Sequence, residues 1–179
     1  AMYRKGDYVI YGCKGVCQIR EVTTLNMEGI PKDRLYYEMQ LVSDPGSTIF
    51  TPVEHEGSRS VMRPLLSEDE ARDLLRKIPE LEEEWIRDDR AREAHYRDAV
   101  NHGDAEAMLS LIRQLQLRRR ARIEQGKKLP VMDSRYLKTA QDNLFQEFSI
   151  VLDASREKVE SYVAERIRQS AEQKKKNPV

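Results

Sequence analysis

The sequence of 179 residues is poor in metal ligands and thiols, with only two cysteines and three histidines. Cys13 and Cys17 form one C-x3-C pair with no second pair after it, and the histidines lack the spacing of zinc ligands. We therefore expect two reduced cysteines in strands, no metal site and no cofactor.

Long apolar runs are also missing, because hydrophobic residues make up 39% of the chain and charged residues 35%. No run approaches the roughly 20 residues that cross a bilayer, and no signal-peptide pattern opens the chain. The composition predicts a cytoplasmic protein with a modest core and no membrane partner.

Organised catalytic motifs are a third absence. The 31 carboxylates guarantee that acid pairs occur, but no P-loop, dinucleotide fingerprint or nucleophile elbow accompanies them. We therefore expect no enzymatic activity and no small-molecule substrate.

The formal net charge of zero hides an uneven distribution. Residues 1–64 are balanced and residues 65–117 carry −6, whereas residues 118–145 hold eight basic and three acidic side chains, or +5. An anionic partner is expected to meet this basic segment first. Its runs RRRAR and GKK are equally compatible with a solvated helix end.

The first 64 residues contain five short runs rich in Val, Ile, Thr and Tyr, separated by turn residues. Asp44-Pro45-Gly46 lies between two of these runs and predicts a hairpin. Such a pattern is typical of a small, strongly bent sheet or barrel with an open strand edge that can pair with another protein.

The apolar period changes to that of helices after Pro64. Ser67 and Glu70 predict a capping box, and Pro79 interrupts the first helix. A second helix is expected from near Trp85 to Asn101, ending before Gly103. Three more are expected after Asp104, from Asp133 or Ser134, and from Ser155, followed by a frayed tail at 170–179. The apolar stripes expected to face the core are Met108, Leu111, Ile112 and Leu115 in the third helix and Val159, Tyr162, Val163 and Ile167 in the fifth. The predicted fold class is α+β, with a small β domain at 1–64 and a compact five-helix domain at 65–169.

Several segments carry a resemblance to a known family. The segments YRKGDYVIYGCKGVCQI, TIFTPVE, VMRPLLSEDE and GKKLPVMDSRYLKTAQDNLFQEFSIVL, together with Trp85 and Arg87, resemble the CarD/CdnL family of bacterial transcription regulators. The likeness runs from Met2 to about Ile167. Its first half alone also resembles transcription-repair coupling factors, and the helical half with its tryptophan favours CarD/CdnL.

The resemblance implies a function with two partners. In the family, a Tudor-like module docks on the β subunit of RNA polymerase, partly by strand-edge pairing. A helical module contacts promoter DNA at the upstream edge of the melted bubble, where a tryptophan wedges into the minor groove and stabilises the open complex. By family matching, the expected polymerase-binding residues are Leu25, Met27 and Phe50, and the expected DNA-binding residues are Trp85, Arg87, Arg90, Arg135 and Lys138.

Two alternatives remain open at the tryptophan. Residue statistics favour a tryptophan that packs over a seam between helices. However, Leu81 is the only apolar residue among the positions one helical turn from Trp85. Arginines flank the indole, as they would flank a wedge inserted into DNA. Relatives continue with basic or aromatic residues where this chain has Asp88 and Asp89. We therefore expect weak DNA binding by the free protein, increased by tethering to polymerase. The rival function is a polymerase adaptor without DNA contact.

Overall fold

The computed structural model describes residues 2–53, 61–102 and 104–176, and divides the chain into two compact units, Ala1–Leu65 and Leu66–Val179. The first unit contains a five-stranded antiparallel sheet and the second contains five α-helices within the described ranges. The predicted α+β class is therefore confirmed. No helix among these residues is long and apolar enough to cross a membrane.

The sheet of the first unit has the strand order β4-β3-β2-β1-β5, with every pair antiparallel. All five β-rich runs of the sequence form strands, and Asp44-Pro45-Gly46 joins β3 to β4 as predicted. Ser47 N–H donates to the Asp44 carbonyl over 2.9 Å in this turn. The strands are β1 Tyr8–Tyr11, β2 Gly15–Thr24, β3 Leu35–Leu41, β4 Thr48–Pro52 and β5 Met62–Pro64.

Two local features shape this sheet. A 3-10 turn at Gly12–Lys14 connects β1 to β2. Gly12 and Gly15 adopt φ values of 44° and 83°, which are unfavourable for residues that carry a Cβ atom. The β2–β3 register shifts between Ile19 and Glu21, an irregularity of the kind that a β-bulge introduces. The buried core cluster of this unit consists of Val9, Cys17, Ile19, Tyr37 and Met39.

The first helix of the second unit begins as the sequence predicts. Ser67 Oγ accepts the Glu70 N–H over 3.1 Å, and the Glu70 carboxylate accepts the Ser67 N–H over 2.9 Å, completing the capping box. A 3-10 turn at Ile78–Glu80 follows, with Pro79 inside it. The helices are α1 Glu68–Arg76, α2 Asp89–His102, α3 Ala105–Glu124, α4 Val131–Leu152 and α5 Arg156–Lys176.

The helical core follows the apolar stripes read from the sequence, with one exception. The predicted α3 stripe, Met108, Leu111, Ile112 and Leu115, is entirely buried, and each such side chain contributes about 1.5–3 kcal/mol. Tyr162, placed in the α5 stripe by its spacing, is instead 46% exposed.

Helix α5 also extends beyond the expected start of the tail at residue 170. The Ser170 side chain is buried and accepts a hydrogen bond from Arg113 Nη2 over 3.1 Å. This contact attaches the last turns of α5 to α3, so the helix continues to Lys176. Residues 177–179 lie outside the described residues, as does Gly103, the expected stop after the second helix.

Candidate functional site

Trp85 lies in residues 82–88, which form neither helix nor strand. The prediction that α2 begins near Trp85 is wrong, because Asp88 is its N-cap. Asp88 Oδ2 accepts the Ala91 N–H over 2.8 Å and its carbonyl accepts the Arg92 N–H over 2.9 Å. An aspartate oxygen satisfies a backbone donor that has no partner inside the helix, so the helix starts at Asp89, after the indole and not at it.

The indole of Trp85 is half-buried and packs against the helical core. The guanidinium carbon of Arg118 lies 3.5 Å from a ring centroid, and that of Arg92 lies 4.7 Å from it. Both distances suit cation–π attraction. The ring is therefore neither sealed in the interior nor fully solvated.

Arg92, one of the two arginines against the indole, is tied to helix α4 by a buried ion pair. Its Nε donates to Asp133 Oδ1 over 2.8 Å and its Nη2 to Oδ2 over 3.2 Å, a bidentate arrangement. Asp133 has 0% exposure and also accepts the Tyr96 hydroxyl over 2.6 Å. Three buried side chains from two helices thus satisfy one another's hydrogen-bonding groups.

Ionisation in this buried cluster follows from its contacts. Burial by itself raises the pKa of Asp133, but hydrogen bonds from Arg92 and Tyr96 outweigh it and hold that pKa below its usual value. Burial, with the hydrogen bond to Asp133, raises the pKa of Tyr96. The hydrogen bond to Asp133 raises the pKa of Arg92, despite burial. The cluster is a charged pair with a neutral phenol at physiological pH.

Arg92 also holds the tryptophan segment directly. Its Nη1 donates to the carbonyls of Ile86 and Arg87, each over 3.2 Å. From α3, the Gln114 amide donates to the Glu83 carbonyl over 3.0 Å. The backbone on both sides of Trp85 is therefore attached to the helices although it has no regular structure of its own.

The two acids that depart from the family pattern have structural partners. Asp88 caps α2, and Asp89 forms an ion pair with Arg92 over 2.9 Å. Their charges suit a helix N-terminus, where backbone N–H groups carry positive partial charge. These contacts account for the two acids without any role toward DNA.

The predicted basic residues occupy two places. Arg87 and Arg90 are exposed, before α2 and in its first turn, and neither has an ion-pair partner within the described ranges. Arg135 lies 3.9 Å from Glu93, and Lys138 lies 2.7 Å from Asp142. Surface pairs of this kind are weak and exchange readily, so both cations remain accessible to an anion.

Arg135 and Lys138 line one groove of about 640 Å³ between the end of α3 and the start of α4. Arg119 and Lys128, which belong to the basic segment but were not among the predicted site residues, line it too. Helix α4 starts at Val131, after Pro130, and not at the expected Asp133 or Ser134. The apolar lining residues are Ile123, Leu129 and Val131.

On the β unit, the expected polymerase-binding side chains lie around β3. Phe50 is 43% exposed on the edge strand β4, while its neighbour Thr51 faces inward. Leu25, half-buried, and Met27, 57% exposed, belong to the β2–β3 connection. Leu35 at the start of β3 is also exposed and was not predicted, because its run shows no strict alternation.

Neither cysteine forms a disulfide within the described residues. Cys17 is buried in β2, where burial raises the pKa of its thiol to about 11. Cys13 is exposed in the 3-10 turn between β1 and β2, so the expectation that both cysteines lie in strands is wrong for Cys13. Among the described residues, no three His, Cys, Asp or Glu side chains are grouped as metal ligands.

The two units define a class of protein with an open-edged β sheet followed by a helical bundle that presents an arginine-flanked tryptophan. A family model described as CarD-like/TRCF RID domain matches residues 3–66, and one described as CarD, C-terminal domain matches residues 70–164. The chain therefore belongs to the CarD family of RNA polymerase-interacting transcription regulators. A search of individual curated proteins finds no match.

Proposed function

We propose that this protein docks on the β subunit of RNA polymerase through its β unit and stabilises the promoter open complex through its helical unit. Trp85 acts as a minor-groove wedge at the upstream edge of the bubble, and basic side chains hold the DNA backbone. The observation that carries this proposal is the partly buried indole of Trp85, which keeps some exposed surface and has the guanidinium groups of Arg92 and Arg118 against its ring.

The geometry of the β unit supports protein binding. Strand β4 is an edge of the sheet, so part of its backbone N–H and C=O groups can pair with a strand of polymerase. Phe50 projects from the middle of this strand, and Met27 in the β2–β3 connection is another exposed apolar side chain of the unit, with the flexibility of methionine. The unit has no net charge, which suits a protein partner better than nucleic acid.

Replacing Phe50 by Asp tests the polymerase contact. A buried charge at the centre of the interface is expected to weaken binding to core polymerase by about ten-fold or more, measured by copurification and by titration of labelled protein. Tyr8→Asp is the matched control, because Tyr8 is another exposed aromatic, on β1 instead of the edge strand. Equal binding by both variants and wild type would remove Phe50 from the interface.

The helical unit supports DNA binding without sequence reading. Arg87, Arg90, Arg135 and Lys138 are long exposed cations that contact phosphates at any sequence. Inserting an indole between base steps costs a few kcal/mol of unstacking, and this cost is smallest where the duplex is already opening. The wedge therefore favours a bubble edge over intact duplex.

The DNA contact is expected to depend on polymerase. Tethering raises the local DNA concentration to the millimolar range, so a helical unit with weak intrinsic affinity still occupies its site. We expect little binding to isolated duplex at physiological salt and clear protection of upstream bubble DNA in the polymerase–promoter complex. Footprinting with and without the protein measures this, and tight binding to free duplex contradicts the tethered mechanism.

A further inference from the structure

The tryptophan contacts two arginines that differ in freedom. Arg92 is buried and fixed by Asp133 on one side and by the carbonyls of Ile86 and Arg87 on the other. Arg118 is half-buried on α3, stacks 3.5 Å from the ring centroid and has no hydrogen-bond or ion-pair partner within the described ranges.

We propose that Arg92 and Arg118 are positioning residues for Trp85, and that the helical unit presents the indole in one orientation before DNA arrives. Arg92 sets the path of the backbone on which Trp85 stands, and Arg118 sets the plane of the ring by stacking on it. This inference rests on the proposed wedge function and deepens it, because it assigns to two basic residues a role that is exerted through the indole and not through a phosphate.

The physical need for such positioning follows from the local structure. Residues 82–88 form neither helix nor strand, and an indole free to move on such a segment would lose conformational entropy on insertion. A guanidinium stacked on the ring removes part of this loss beforehand. Arginine suits the task because its planar guanidinium stacks on aromatic faces while its remaining N–H groups stay available.

The first arm of the test uses fluorescence of the free protein, since Trp85 is the only tryptophan. Arg118→Met keeps an apolar stem but removes the stacked cation, and is expected to red-shift the emission and raise quenching by acrylamide. Arg92→Lys keeps the charge but loses the bidentate pair and is expected to do the same. Arg119→Met, one residue away and exposed, is the control that should leave both signals unchanged. Circular dichroism melting shows that each variant is folded.

The second arm is a double-mutant cycle on open-complex lifetime at a weak promoter. Arg118→Met alone is expected to shorten the lifetime roughly two- to five-fold, the size of one cation–π contact. Combined with Trp85→Ala it is expected to add nothing further, because its effect passes through the indole. Arg135→Met removes a proposed phosphate contact, so its fold-reduction in lifetime is expected to multiply with the fold-reduction caused by Trp85→Ala.

The outcomes separate the two proposals. If the effect of Arg118→Met on the lifetime multiplies with that of Trp85→Ala, as the effect of Arg135→Met is expected to do, Arg118 contacts DNA itself and the positioning role is overturned. The same holds if Arg118→Met changes neither fluorescence nor lifetime while Trp85→Ala shortens the lifetime. If Trp85→Ala leaves the lifetime unchanged, the wedge itself fails and the positioning role falls with it.

Discussion

Replacing Trp85 by Ala is expected to shorten the lifetime of the promoter open complex by about ten-fold, equivalent to about 1.4 kcal/mol of the barrier to bubble closure. The magnitude follows from stacking of an aromatic side chain on a base, worth about 1–3 kcal/mol per base. Lifetime is measured by challenging preformed complexes at a weak promoter with a competitor. Trp85→Phe keeps an aromatic wedge of smaller area, and we expect an intermediate lifetime.

The controls for this experiment come from the same chain. Tyr162→Ala removes another partly exposed aromatic of the helical unit, on α5, and is expected to leave the lifetime unchanged. Copurification with core polymerase should be the same for Trp85→Ala and wild type, because the wedge belongs to the helical unit. An unchanged lifetime for Trp85→Ala would favour the adaptor function, in which the helical unit meets another protein.

Replacing Asp133 by Ala is expected to destabilise the helical unit by about 3–5 kcal/mol, because it leaves the buried Arg92 charge without its partner. It also leaves the Tyr96 hydroxyl unpaired. Denaturant unfolding of the full chain, followed by Trp85 fluorescence, measures the change. Asp142→Ala, which removes an exposed partner of Lys138 and Arg156, is the control and should cost less than about 1 kcal/mol.

A triple variant separates two contributions to this destabilisation, the loss of a packing contact and the unpaired charge left in the core. Arg92→Met, Asp133→Leu and Tyr96→Phe together replace the buried polar cluster by apolar side chains of similar size. This triple variant is expected to recover much of the stability lost in Asp133→Ala, since no buried charge is left unpaired. A triple variant as unstable as Asp133→Ala would show that packing, and not the unpaired charge, sets the cost.

Acidification offers a second measurement on the same cluster. Because the pKa of Asp133 in the folded protein is lowered from its ordinary value of 3.8, its stabilisation is complete above that value. It is lost as pH falls through the lower pKa of the folded state. Wild type should therefore show a steeper loss of stability below pH about 4 than Asp133→Asn, which has no carboxylate to protonate.

Much of the fold was predictable because its signals are local. The capping box at Ser67, the hairpin at Asp44-Pro45-Gly46 and the apolar stripe of α3 each depend on residues within a few positions of one another. The start of α2 was equally local and was missed. Asp88 is a strong N-cap residue, but the large apolar side chain of Trp85 led to a predicted start near residue 85, ahead of the observed start at Asp89.

The sequence by itself determined the two-part organisation, the strands and helices, the family and the basic character of residues 118–145. These follow from periodicity, turn chemistry and charge, which are properties of neighbouring residues. Only the tertiary structure decided how Trp85 is held. Arg92 pairs with Asp133, which is 41 positions away in the sequence, and Arg118 contacts the indole from helix α3. Such pairs come together only when α2, α3 and α4 pack, because burial and not sequence distance selects the partner of a charge.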